Sequence, residues 1–240
     1  INKKGEFLED VTLVDTIGGW ISHIFEYITG ALKDVTFEVY ALEDIKAADG
    51  ESEDYYKKDE LIATITTDET GIAKLSGLPL GKYYVKEKET AEGYVLDGEI
   101  REIDLTYVDQ ETAEVTWNGD WQNNRQKAEI SVLKKEKDTD RVLEGAVFAL
   151  SAKEDITNKD GDVVLEAGTV IEEKATGEDG KLTFEADLPI GFSYVVKETS
   201  PAPGFATTDE VQEFTFTAES SDKATVSYEF IFEDEPTVFE

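Results

Sequence analysis

The stretch VTFEVY at residues 35–40 decides the fold, because it returns as AVFALS at residues 146–151. The motif VKE at residues 85–87 also returns, at residues 196–198, and both returns lie 111 positions downstream (196 − 85 = 111). Self-similarity at one fixed offset is the sequence signature of a repeated module. The chain is therefore interpreted as two copies of one module.

The repeat sets the domain boundaries and exposes an insertion. We predict one domain over residues 1–126 and a second over residues 127–240. The lysines that open the two copies, Lys3 and Lys134, are 134 − 3 = 131 positions apart, which exceeds the repeat offset of 111. The first domain is thus predicted to carry an inserted segment of about 20 residues near residues 9–31.

The composition argues against several classes of function. The 240 residues include 55 Asp and Glu against 23 Lys and Arg, and the net charge of −32 disfavours binding to nucleic acids and to anionic membranes. With no Cys and one His, we expect no disulfide, no thiolate or histidine metal site and no cofactor. The 40% of hydrophobic residues can still form a buried core.

Both copies have the pattern of a β-protein. Short runs rich in Val, Ile, Thr, Tyr and Phe alternate with turn clusters such as TDETG at residues 67–71 and EDG at residues 178–180. About seven strands in roughly 110 residues is typical of an antiparallel sandwich. The predicted fold class is all-β, with two tandem antiparallel β-sandwich domains.

Three strands of the second copy each aim one ionisable residue at their apolar face. Lys134 has the same parity as Ile130 and Val132, and side chains of one parity share a face of a strand. Glu198 and Asp234 continue the apolar parity of two other strands in the same way. Because a buried charge is costly unless it is paired, we predict that these three residues meet.

The first copy repeats this arrangement with Lys3, Glu87 and Asn123. Asn123 and Asp234 are again 111 positions apart (234 − 123 = 111). The alternative is that the charged residues mark strand ends that emerge into solvent. The same three positions carry Lys, Glu and either Asn or Asp in both copies, and this recurrence favours the buried clusters.

A lysine, a glutamate and an amide or carboxyl in an apolar pocket can form an amide bond. Burial favours the neutral lysine, which is nucleophilic, and the protonated glutamate, which can polarise the Asn or Asp carbonyl. The glutamate then passes a proton to the leaving group, which is ammonia from Asn123 or water from Asp234. First and last strands held side by side supply the required proximity.

This ordered set of motifs resembles the Cna B-type domain of Gram-positive surface adhesins and pilins, an Ig-like, prealbumin-like domain that forms intramolecular isopeptide bonds. The resemblance covers essentially the whole chain. Besides the opening lysine strands, the matching motifs are YVKE at residues 84–87, NNRQK at residues 123–127, LEGAVF at residues 143–148 and DEP at residues 234–236.

The resemblance implies two crosslinks and a structural role. The bonds would be Lys3 to Asn123 with Glu87 as catalyst, and Lys134 to Asp234 with Glu198 as catalyst. Asp234 stands where Asn is commoner in the family. The implied protein is an extracellular stalk or pilin-like shaft, attached to the cell wall through regions outside this chain and contacting neighbouring domains of the same surface protein. Its chemistry is a single autocatalytic turnover, so it is not an enzyme.

The inserted segment admits two structures. Ile17, Ile21, Ile24 and Ile28 fit a helical stripe. Its richness in β-branched and aromatic residues and the glycine pair at residues 18–19 indicate a β-hairpin instead. We favour the hairpin.

A rival function is a ligand-binding adhesin module. Trp20, His23 and Tyr27 in the inserted segment could form a face for a host extracellular matrix protein or a glycan. An exposed aromatic patch would support that function. We favour the alternative, in which these residues pad the fold.

Two further hypotheses are weaker. Asn158, Asp160 and Asp162 have the alternating oxygen spacing of a calcium loop, but the downstream glutamate is not at loop spacing, so a turn is favoured and no metal site is predicted. A carboxylate glycosidase needs two carboxylates across one cleft. Glu87 and Glu198 are predicted to lie in different domains, which argues against it.

Overall fold

The computed structural model describes residues 1–15, 19–47, 49–109 and 114–238. In these residues the regular structure is β-sheet, and no helix there is long and apolar enough to cross a membrane. The chain divides into two compact units: unit 1 is Ile1–Glu6 with Thr29–Arg125, and unit 2 is Phe7–Ile28 with Gln126–Glu240. The predicted all-β class with two tandem domains is confirmed.

The strands are named in chain order. The first seven are β1 (Asn2–Asp15), β2 (Ile21–Ala31), β3 (Thr36–Ala41), β4 (Leu61–Thr66), β5 (Gly81–Glu89), β6 (Ile100–Leu105) and β7 (Asp120–Gln122). The next are β8 (Lys127–Glu136), β9 (Val147–Ala152), β10 (Ile156–Thr157), β11 (Val163–Leu165), β12 (Val170–Ala175), β13 (Lys181–Thr183), β14 (Ser193–Ser200), β15 (Val211–Thr215) and β16 (Thr225–Asp234).

Unit 1 contains a four-stranded antiparallel sheet in the order β4-β3-β5-β6. Alternate side chains of its central strands, among them Phe37, Val39 and Val85, are buried and form the core. The first residues of β1 pair in parallel with β7, which places Lys3 opposite Trp121. Parallel pairing of the first and last strands brings the two ends of the repeat together.

Unit 2 repeats this plan with a longer last strand, because β16 has ten residues where β7 has three. One sheet runs β15-β14-β9-β12 and continues to β2 and β1, and a second has the order β13-β8-β16. β8 and β16 pair in parallel from Lys127 to Glu136, and Phe232 lies opposite Lys134. The apolar residues Ile130, Val132 and Phe232 are almost fully buried between the sheets.

The inserted segment is a β-hairpin, as favoured from its composition, and it is formed by β1 and β2. Ile17 and Gly18 lie outside the described residues. The segment was predicted as part of the first domain, yet residues 7–28 belong to unit 2. Leu8 and Phe25 are buried in the core of that unit, and Ser22 pairs with β12 at Glu172.

Glu172 supplies a testable pH dependence in unit 2. It is buried on β12, and its Oε2 accepts hydrogen bonds from the backbone N–H groups of Glu185 at 2.7 Å and Ala186 at 2.9 Å. Burial nevertheless raises the pKa of this carboxyl above its ordinary value. Its contribution to stability is therefore present below the unfolded pKa and is lost as pH rises through the folded pKa.

Glu172→Gln is expected to raise the melting temperature of unit 2 at about pH 8 and to change it little at about pH 4, near the unfolded pKa of Glu. The amide keeps an acceptor for the two N–H groups and removes the buried charge. Thermal unfolding of the full chain at both pH values checks this. Glu166→Gln, at an exposed position, is the matched control. Equal effects of Glu172→Gln at both pH values would contradict the argument.

Candidate functional site

Each unit buries one lysine completely. Lys3 on β1 and Lys134 on β8 both have a relative exposure of 0%. Lys134 follows the buried Ile130 and Val132 on the inward face of β8, as the parity argument predicted, and Lys3 follows the partly buried Ile1. An ammonium group that is shielded from water needs hydrogen-bond acceptors at short distance. In each unit these acceptors are the two side chains that the sequence analysis paired with the lysine.

In unit 1, three side chains form a closed set of hydrogen bonds. The Nζ of Lys3 donates to Oε2 of Glu87 at 2.6 Å and to Oδ1 of Asn123 at 2.6 Å. The Nδ2 of Asn123 donates to Oε1 of Glu87 at 2.6 Å. Glu87 lies on β5, and Asn123 directly follows β7. The amine, the amide and the carboxyl therefore touch one another pairwise.

Unit 2 brings Lys134, Glu198 and Asp234 together at the matching positions, with the lysine beside both carboxyls. The Nζ of Lys134 lies 2.5 Å from Oδ1 of Asp234 and 3.0 Å from Oε1 of Glu198, and all three side chains are 0% exposed. Oδ2 of Asp234 has no hydrogen-bond partner among the described residues. Two buried carboxyls beside one ammonium favour the retention of a proton.

In each cluster, burial shifts the pKa of one group toward its neutral form. Burial lowers the pKa of Lys3 below its ordinary value, against the opposing effect of the Glu87 carboxylate. Burial raises the pKa of Glu198, and the nearby Asp234 charge adds to that rise. A neutral amine is a nucleophile, and a protonated carboxyl is a general acid.

Aromatic rings complete the surroundings of the amines. The Nζ of Lys3 lies 5.6 Å from the ring centroid of Phe37, and that of Lys134 lies 5.7 Å from the ring centroid of Phe148. Phe37 and Phe148 are the residues whose 111-position spacing revealed the repeat (148 − 37 = 111). The repeated motif therefore supplies one wall of each cluster.

Comparison with known proteins identifies the module. The sequence model of the SpaA prealbumin-like fold domain matches residues 26–121 and 128–229. The chain belongs to this family. The resemblance to prealbumin-like domains in two tandem copies is thereby confirmed. A search of curated proteins finds no match.

Three solved structures are similar to this SpaA-type chain. The TIE protein of Bacillus anthracis is 22% identical with a TM-score of 0.54; the match covers 90% of this chain and 38% of that protein, and it shows a shared fold. The shaft pilin spaA of Lactobacillus rhamnosus GG is 17% identical over 100% of both chains, with a TM-score of 0.35. GBS52, a minor pilin of Streptococcus agalactiae, is 17% identical over 99% of this chain and 98% of that one, with a TM-score of 0.34.

A glycine holds the lysine backbone in each SpaA-type module. The N–H of Lys3 donates to the carbonyl of Gly71 at 2.7 Å, and the N–H of Lys134 donates to that of Gly180 at 2.8 Å. Both glycines have a positive φ, +73° and +69°. The carbonyl of Lys3 in turn accepts from the N–H of Leu32 at 3.0 Å. The carbonyl of Lys134 likewise accepts from the N–H of Leu143 at 3.0 Å, so each buried lysine is held through both its N–H and its carbonyl.

Sequence reasoning missed two kinds of neighbour. A backbone N–H faces the glutamate of each cluster: that of Asp97 lies 3.4 Å from Glu87 Oε1, and that of Thr208 lies 3.2 Å from Glu198 Oε2. Their spacing of 208 − 97 = 111 was an available signal. Thr90, whose Oγ1 accepts from Nδ2 of Asn123 at 2.8 Å, had no such signal because the second module lacks it.

The residues considered for ligand binding lie apart from these clusters, in the hairpin of unit 2. Trp20, His23 and Tyr27 are each partly buried. The ring of Tyr27 packs against the core of unit 2, and its hydroxyl donates to the carbonyl of Asp187 at 2.8 Å. This geometry gives Tyr27 a packing role. A ligand face here stays a prediction.

In the part of the chain that the structure describes, no group of three or more His, Asp or Glu residues could hold a metal ion. In the loop considered for calcium, Oδ1 of Asn158 accepts hydrogen bonds from the backbone N–H groups of Asp160 and Asp162, both at 3.0 Å. Its oxygen is therefore used within the turn.

Proposed function

We propose that this chain is a structural segment of a Gram-positive surface stalk or pilus shaft, stabilised by two isopeptide bonds that form inside the folded modules. Membership of the SpaA prealbumin-like family supports the structural role. The observation that carries the proposal is the position of the two amines. Nζ of Lys3 lies 2.6 Å from Oδ1 of Asn123, and Nζ of Lys134 lies 2.5 Å from Oδ1 of Asp234.

The reaction in the first module converts a primary amide into a secondary amide. A proton passes from Lys3 to Glu87, and the neutral Nζ attacks Cγ of Asn123. Glu87 bonds both the amine and Nδ2, so it can carry the remaining proton from one nitrogen to the other. The Cγ–Nδ2 bond breaks, ammonia leaves as ammonium with the proton that Glu87 first took from Lys3, and Glu87 ends as the carboxylate it was.

The second module condenses an amine with a carboxyl. A proton passes from Lys134 to Glu198, and the neutral Nζ attacks Cγ of Asp234. Glu198 gives that proton to the departing oxygen and then carries a second proton to it from Nζ, so that the Cγ–O bond breaks, one water is released and Glu198 ends as the carboxylate it was. The raised pKa of Glu198 suits this task. Oδ2 of Asp234, which has no hydrogen-bond partner among the described residues, is available to receive that proton.

The two bonds would tie the first strand of each module to its last. The proposed crosslinks join residues 120 and 100 positions apart. By analogy with a disulfide of similar span, each would stabilise its module by about 5 kcal/mol. In a chain without Cys, such a bond keeps a sandwich from opening when tension pulls on its ends.

The test is the mass of the purified, denatured chain. We expect a deficit of one ammonia plus one water relative to the sequence. Glu87→Ala should abolish the ammonia loss alone, and Glu198→Ala the water loss alone. Each variant serves as the control for the other, because the unaltered module reports on folding. A wild-type mass equal to that of the bare sequence would refute the proposal.

The proposed setting is the outside of the cell. The SpaA-type family supports a surface or extracellular location, and we propose wall attachment through regions outside this chain. The partners proposed are other subunits or domains of the same surface protein. The chemistry is a single turnover within each module, so no enzymatic activity is proposed.

A further inference from the structure

The amide of Asn123 uses both of its N–H groups. One donates to Oε1 of Glu87 at 2.6 Å, and the other donates to Oγ1 of Thr90 at 2.8 Å. Thr90 directly follows β5, the strand that carries Glu87, so one short segment supplies both acceptors. In the proposed reaction Nδ2 is the leaving group, and Thr90 therefore touches a reacting atom.

The second module lacks this contact. Its residue at the matching position is Pro201 (201 − 90 = 111), which directly follows β14 as Thr90 follows β5. Pro has no hydroxyl group. The acyl residue there is Asp234, whose departing atom is an oxygen without N–H groups, and its Oδ2 has no partner among the described residues. The two modules thus differ together in the leaving group and in the group beside it.

We propose that Thr90 binds the leaving nitrogen and adapts the first module to an asparagine rather than an aspartate. This inference rests on the proposed function. As the Cγ–Nδ2 bond breaks, the nitrogen gains a proton from Glu87 and leaves as ammonia. Oγ1 of Thr90 accepts one of its N–H groups throughout, and that bond strengthens while the nitrogen carries developing positive charge. Glu87 is then free to deliver the proton.

The inference predicts a slower ammonia loss when the hydroxyl is removed. Thr90→Val keeps the shape of the side chain, and loss of one hydrogen bond to a charged group should slow bond formation about ten-fold. Thr90→Ser keeps the hydroxyl and should restore most of the rate. The full chain is synthesised in a cell-free system directly into denaturant, so that it has not yet folded or crosslinked, and is then refolded by dilution and quenched at intervals. Digestion and mass spectrometry then quantify the branched peptide that joins Lys3 to Asn123.

Two comparisons separate this role from a structural one. The crosslink of the second module, formed in the same molecules, is the internal clock, and Thr64→Val on β4, at an exposed threonine, is the matched control. The second comparison measures the effect of Thr90→Val in a chain that also carries Asn123→Asp, relative to the chain with Asn123→Asp alone. Because the leaving group is then an oxygen, the effect of Thr90→Val should shrink to less than about two-fold.

The outcomes distinguish the two proposals. The assignment is supported if Thr90→Val slows crosslinking, if Thr90→Ser does not, and if the effect of Thr90→Val disappears when Asn123→Asp is also present. An unchanged rate in Thr90→Val overturns it while leaving the crosslink intact. Equal slowing with Asn123 and with Asn123→Asp assigns Thr90 to local folding and also overturns it. If the wild-type chain never loses ammonia, the proposed function fails and this inference fails with it.

Discussion

Lys134→Ala is expected to unfold the second unit at neutral pH and room temperature. The substitution leaves Glu198 and Asp234, both 0% exposed, as buried carboxyls without a counter-charge. Breaking a buried pair in this way costs about 3–5 kcal/mol. Loss of the proposed crosslink removes about 5 kcal/mol more. Together these approach the whole stability of a typical domain, which is about 5–15 kcal/mol.

Amide hydrogen exchange along β8 and β16 measures this result, because these strands pair over ten residues and should be protected only in the folded unit. The variant should regain protection at acid pH. The pKa of Glu198 is already raised by burial, so the folded state holds its proton more tightly than the unfolded chain does. That stabilisation is present below the unfolded pKa and disappears as pH rises through the folded one.

The control replaces Lys134 by Met, Glu198 by Gln and Asp234 by Asn together. This variant cannot form the bond, but it buries no charge, so it should lose only the contribution of the crosslink. It is therefore expected to fold at room temperature and to melt below wild type. If Lys134→Ala melts at the same temperature as this neutral variant, the buried charges contribute nothing. If Lys134→Ala melts like wild type, the cluster has no role in stability.

The members of the two clusters were predictable from sequence because strands obey a simple geometry. Side chains alternate between faces, so Lys134 had to share the face of Ile130 and Val132. The fixed repeat offset then tied Asn123 to Asp234. The first argument depends on the alternation of side chains along a strand, and the second on the constant offset between the two copies. Neither requires knowledge of how the neighbouring side chains pack. The structure brings the residues named in this way within hydrogen-bond distance.

The destination of the hairpin was not predictable in the same way. Alternation shows which side of a strand is apolar, but it does not show which core that side will enter. Leu8 and Phe25 could have packed in either module, and they are buried in the core of unit 2. Choosing between two similar cores depends on the shape of each cavity, and shape is a property of the folded chain.

Thr90 was missed for a different reason. Repeat analysis finds what two copies share, and Thr90 stands opposite Pro201 in the alignment. Its single hydrogen bond to Asn123 depends on where the chain turns after β5. A residue that is specific to the chemistry of one copy has no counterpart in the other, so a comparison of the two copies cannot find it.

Gly71→Ala is expected to prevent crosslinking in the first module. Gly71 has φ of +73°, where an L side chain is strained by about 1–2 kcal/mol. A Cβ there would also lie 2.5 Å from the carbonyl oxygen of Lys3 and 3.1 Å from the backbone N of Leu32. These are backbone atoms and cannot rotate away. The strand must move, and the Nζ of Lys3 moves with it, away from Asn123.

Gly77→Ala separates this displacement from simple strain. Gly77 has nearly the same φ, +76°, but a Cβ there meets nothing within 4 Å. It should lose about 1–2 kcal/mol of stability and still release ammonia in full. Because reacting atoms must approach within hydrogen-bond distance, a shift of about 1 Å slows a positioned reaction roughly a hundred-fold. Complete crosslinking in Gly71→Ala, measured by mass after refolding, would show that the glycine does not position the lysine. Failure in both variants would show that strain alone disables the site.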